Sequence, residues 1–129
     1  MRVAELVPGA TSTLRRRLRA KQLRTSRDAC WRWGGATSRK RDGVGRPAIQ
    51  VGGRRSPVVH VARVLLALID RVPLLERRGL EAGHRCGNYW CVNGRHLEWQ
   101  TRSENEDAKQ EFDAYASFAA AVDELAVDG

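Results

Sequence analysis

The stretch HRCGNYWCVNGRH, residues 84–96, decides how the rest of the chain is read. It places His84, Cys86, Cys91 and His96 close together, with four residues between the two cysteines and four more before His96. Thiolates and an imidazole this near can share one tetrahedral ion without closing a long loop. A closed structural shell takes four ligands, and Cys30 is the one cysteine left in the chain. The expectation is one structural Zn²⁺ per chain, held by Cys30, Cys86, Cys91 and His96. Three cysteines are an odd number for a disulfide framework. His84 sits only two residues from Cys86, and His96 is the better-spaced imidazole for the shell.

Working outward, residues 11–24 read as a short basic helix, with Leu14, Leu18 and Leu23 as its apolar seam and Ser12 or Thr13 as its cap. Residues 30–35, CWRWGG, read as a strand entering a loop, and the polar, basic run 36–44 as that loop. Residues 46–51 and 56–59 flank GGRR, which predicts a hairpin with a glycine turn. Val61, Val64, Leu65, Leu68 and Ile69 recur at helical spacing between 60 and 71, predicting a core helix closed before Pro73, with His60 at its start. Ser103 followed by Glu106 has the form of a capping box. Behind it Ala108, Phe112, Tyr115, Phe118 or Ala119, Val122 and Leu125 form a long helical stripe, a candidate dimer face at its outer end. The four tryptophans, Trp31, Trp33, Trp90 and Trp99, fall around the expected zinc, where packing is their first role.

The chain has 129 residues and a formal charge of +8, but the charge is unevenly spread. Residues 1–64 hold 16 basic and 3 acidic side chains, a net +13; residues 65–129 hold 7 and 12, a net −5. The basic half suits a polyanion and the acidic end does not. No apolar run reaches the length of a membrane span, and the N-terminus has no secretory apolar region. The expectation is a cytoplasmic protein acting on nucleic acid.

Taken together, CWRWGG from Cys30, DGVGR from Asp42, residues 84–99 and RSEN from Arg102 resemble phage-type HNH endonucleases. The cysteine–histidine spacing is similar to that of the His-Cys box homing endonucleases. There, His-x-Cys-x4-Cys-x4-His-x8-Asn carries zinc binding and catalysis together, and His84, Cys86, Cys91, His96 and Asn105 reproduce it. The resemblance spans roughly residues 30–108. It implies an α+β fold, a small zinc-stapled ββα-metal (His-Me) finger. In such a finger a hairpin carries the histidine and a following helix carries a metal ligand. With it comes a division of the chain: a basic arm or helix at 1–28, the nuclease domain at 29–108, and an acidic helical extension at 109–129. Many HNH enzymes place an Asp directly before the histidine, and this chain has Gly83 there.

The implied activity is hydrolysis of phosphodiester bonds in duplex DNA. His84 is the expected general base, because a neutral imidazole near pH 7 can take a proton from water. Asn105 is the expected ligand of one catalytic Mg²⁺, and Arg55 or Arg54 the expected clamp on the scissile phosphate. Arg39, Lys40, Arg41, Arg46, Arg54 and Arg55 are the expected DNA contacts. Two rivals remain: a non-catalytic zinc-stapled DNA-binding domain of the same fold, and a zinc-bearing RNA-binding protein.

Overall fold

The computed structural model describes residues 6–38 and 45–105. Helix α1 spans Ser12–Lys21 and is followed at once by strand β1, Gln22–Leu23. Thr11 caps the helix: its hydroxyl oxygen accepts from the Leu14 N–H at 3.1 Å, one residue before Ser12 and two before Thr13, the expected caps. Leu14 and Leu18 are buried as expected, but Leu23 is 53% exposed. The helix ends before Leu23, which pairs with Arg32 of strand β2, Arg32–Trp33, so the helical period no longer governs it.

Strand β3, Ala48–Gln50, runs antiparallel to β4, Val58–His60, with Ala48 opposite His60 and Gln50 opposite Val58. The glycine turn between them is held by Ser56, whose N–H donates to the Gly53 carbonyl at 2.9 Å and whose hydroxyl accepts from the Gly52 N–H at 2.8 Å. Helix α2, Val61–Asp70, follows with His60 in the N-cap position and no side-chain cap bond. It closes on Arg71 in the left-handed region (φ 56°, ψ 38°), ahead of Pro73. Val61, Val64 and Leu65 are buried along its inner face, together with Leu66 and Ala67. Ile69, expected in that face, is 60% exposed.

After a 3-10 turn at Leu74–Arg77, β5 (Leu80–His84) pairs antiparallel with β6 (Leu97–Thr101), from Leu80 opposite Thr101 to His84 opposite Leu97. Residues 85–96 form the connection, so the cysteine-rich stretch is the tip of a hairpin that starts at His84. Residues 102–105 are helical. The cap of this turn is Thr101, two residues before the expected Ser103. The Thr101 hydroxyl accepts from the Glu104 N–H at 3.1 Å and donates to Glu104 Oε1 at 3.0 Å.

The result is a small mixed α and β structure of short two-stranded sheets and helices. One core joins them: Leu14 and Leu18 of α1, Trp31, Val64 of α2, Val92 and Leu97 belong to a single buried cluster. Each such side chain contributes about 1.5–3 kcal/mol by leaving water. The segment expected as an N-terminal arm is therefore packed into the same core, through Leu6 and Val7 as well as α1. No helix among the described residues is long and apolar enough to cross a membrane. The expected contacts Arg39, Lys40 and Arg41, and the expected helical extension at 109–129 with its dimer face, lie outside the described residues.

Candidate metal centre and the adjoining cavity

Cys30, Cys86, Cys91 and His96 come together with all four ligand atoms within 4.8 Å of one another, and they could hold a metal ion. His96 Nδ1 lies 3.4 Å from Cys30 Sγ and 3.5 Å from Cys91 Sγ. Zinc–sulfur and zinc–nitrogen bonds of tetrahedral geometry give S···N edges of about 3.5 Å, so the donor set and its spacing fit a structural zinc. His84 is not a member of this cluster.

The surroundings fix the ligands. His96 Nε2 lies 2.9 Å from the Asp28 carbonyl oxygen, which can only accept; Nε2 therefore carries the proton and Nδ1 turns its lone pair to the cysteines. Asn88 Nδ2 donates to Cys30 Sγ at 3.2 Å. Cys30 arrives from another part of the chain, and buried Asn93 brings it. The Asn93 amide donates to the carbonyls of Arg27 and Ala29 at 2.9 and 2.8 Å, while its oxygen accepts from the Arg95 N–H at 3.0 Å. The Val92 N–H donates to the Trp31 carbonyl at 2.9 Å, a further stitch across the same gap. Gly87, at φ 76°, supplies the left-handed turn between Cys86 and Cys91, its N–H donating to the His84 carbonyl.

Burial pushes the Cys30 thiol up, but hydrogen bonds from Asn88, Cys91, Cys86 and His96 outweigh it and leave the thiol at about 7. Burial raises Cys86 to about 12 and raises Cys91 as well. Thiols held that high become thiolates when a cation enters, so binding and proton release are one event.

Beside the cluster lies a cavity of about 400 Å³, with Cys91 and Val92 in its wall. His84, at the end of β5, and Asn105, in the helical turn after β6, both line it. Arg46, Arg63, Arg102 and Glu81 line it too, so the described lining carries three guanidinium groups and one carboxylate. That balance favours an anion. Arg46 Nε is buried without a hydrogen-bond partner among the described residues, a costly state that an anion would relieve. Asn105 Nδ2 donates to Glu81 Oε2 at 2.6 Å.

Arg54 and Arg55, expected as clamps, do not line this cavity. They flank a separate concavity with Arg17, Thr11 and Gly53, at the tip of the β3–β4 hairpin. The arginines that line the cavity with His84 are Arg46, at the base of that hairpin, Arg63 and Arg102. Glu81 escaped sequence reasoning because strand alternation alone would put residues 81 and 84 on opposite faces. A β-carbon at Gly83 would overlap the Gln100 side chain. Of the tryptophans, Trp31 is buried, whereas Trp90 carries the Arg32 guanidinium 4.3 Å above its ring.

No protein-family model matches the chain, and neither a curated protein nor a solved structure matches it.

Proposed function

We propose that this chain is a metal-dependent endonuclease that hydrolyses phosphodiester bonds of duplex DNA on a ββα-metal finger made of β5, β6 and the helix that begins at residue 102. The observation that supports it is the pairing of His84 and Asn105 in one arginine-lined cavity, with His84 outside the Cys30–Cys86–Cys91–His96 cluster. Zinc in that cluster is structural: a closed set of four protein ligands leaves no position for substrate.

The cavity offers a hard oxygen donor, the Asn105 amide oxygen, whose Nδ2 end is taken by Glu81 Oε2, and such a donor suits Mg²⁺. Bound there, Mg²⁺ supplies charge neutralisation at the phosphate and stabilisation of the departing 3′ oxygen. The imidazole of His84 accepts the proton of the attacking water. The Arg46 guanidinium, whose buried Nε lacks a partner among the described residues, takes a phosphate oxygen, the clamp first expected of Arg54 or Arg55. Duplex DNA is the partner, and the net positive half of the chain holds its backbone.

The test is a supercoiled-plasmid assay with Mg²⁺. Wild type is expected to nick or linearise the plasmid. His84→Ala and Asn105→Ala are each expected to lose about 100-fold or more in rate while keeping zinc content and melting temperature. An intact plasmid with the zinc-loaded wild type contradicts the proposal. Gln100 filling the place above Gly83 favours a second reading, a non-catalytic zinc-stapled DNA-binding domain. It predicts duplex binding without cleavage, unchanged by His84→Ala.

A further inference from the structure

A primary amide has two ends of nearly equal shape and opposite chemistry. If the Asn105 side chain is to serve as an oxygen donor, something must decide which end faces a cation or phosphate. Its neighbour does so. Asn105 Nδ2 donates to Glu81 Oε2 at 2.6 Å, and the flipped amide would set oxygen against carboxylate oxygen. The backbone that carries Glu81 is tied to α2 and its neighbours. Arg63 of α2 donates from its guanidinium to the Leu80 carbonyl at 2.6 Å and lies 5.1 Å over the Trp99 ring, while Trp99 donates to Asp70 Oδ2 at 2.8 Å. Burial lowers the Arg63 guanidinium from its ordinary value, and the charge of Glu81 opposes that effect, so the two groups act on each other. Glu81 and His84 ride on the same strand, whereas Asn105 sits beyond β6.

We propose that Glu81 is the positioning residue of the cavity: it captures the Asn105 amide N–H, presents Asn105 Oδ1 as the donor atom, and sets that atom's distance from His84 through β5. This rests on the endonuclease reading above for what the oxygen is used for, but the pairing itself is independent of catalysis. A hydrogen bond to a charged group biases the two amide orientations on the order of 10- to 100-fold. Glu81→Gln removes that bias, because a glutamine can meet Asn105 with either end.

The experiment compares the zinc-loaded wild type with Glu81→Gln, Asn105→Asp and Glu81→Gln/Asn105→Asp, reading Asn105 by NMR and plasmid cleavage by rate. The Asn105 side-chain resonance is assigned by its disappearance in Asn105→Asp. In wild type its amide proton is expected downfield and protected from exchange; in Glu81→Gln it exchanges about tenfold faster or more, and cleavage falls about tenfold with melting unchanged. The double variant re-creates the bond in reverse, the introduced glutamine donating to the introduced carboxylate. It is expected to recover most of the lost rate, which a merely structural role would not give. An unprotected Asn105 amide in a wild type that cuts DNA overturns this inference alone, as does a double variant no faster than Glu81→Gln. A protected amide in a wild type that does not cut overturns the endonuclease reading and the use assigned to the oxygen.

Discussion

The cysteine–histidine cluster and the cavity beside it share a wall at Cys91, yet they are opposite kinds of site. The cluster is complete in itself: four donor atoms within 4.8 Å, each held by neighbours, with no position open. The cavity's own residues leave it unbalanced, with three arginines against one carboxylate and a buried Arg46 Nε lacking a partner among the described residues. In the proposed reading a closed donor set serves the fold, and an open, cationic one takes an anion. The proposed function gives stability to one and chemistry to the other, and each assignment has a way to fail.

The largest effect is expected from the cluster. Chelation, or Cys91→Ser, should remove the cooperative melting transition, since structural zinc in small domains contributes on the order of 10 kcal/mol. A protein that keeps its melting temperature after zinc is stripped would erase the distinction. Next comes Arg46→Ala, expected to slow cleavage about 100-fold with melting little changed, as loss of one preorganised donor does. Arg54→Ala/Arg55→Ala, at the far end of the same hairpin, should leave the rate at saturating DNA intact. It should lower the slope of log affinity against log salt by about 2. If the hairpin tip rather than its base controls the rate, the cavity has been assigned to the wrong arginine.

Smaller effects sharpen the account of how the cluster is assembled. Asn93→Ala should cost about 1–3 kcal/mol in denaturant melts and weaken zinc retention, because the carbonyls of Arg27 and Ala29 lose their donor beside Cys30. Thr101→Ala should cost about 1 kcal/mol as a lost helix cap and loosen the turn that carries Asn105.

The cluster was legible because three of its ligands are local in sequence and Cys30 was the one cysteine remaining. The β3–β4 hairpin was legible in its glycine turn, and α2 in its apolar spacing. What stayed hidden depends on register and on neighbours from elsewhere in the chain. Leu23 left its helical seam because β1 took it to pair with Arg32. The cap moved from Ser103 to Thr101 because β6 extends to Thr101 and the helix starts as soon as the strand ends. Glu81 and Arg46 meet His84 only once the β3–β4 and β5–β6 hairpins are set against α2. No spacing rule joins residues 46, 81 and 105.

The division between the two regions turns on where the imidazole of residue 84 belongs, and zinc K-edge absorption on the purified, metal-loaded protein reads this directly. Three sulfur neighbours and one nitrogen are predicted, unchanged in His84→Ala and losing the nitrogen in His96→Ala. A nitrogen that vanishes with His84, or a shell of two sulfurs and two nitrogens, would place the proposed base on the zinc and end its part in hydrolysis.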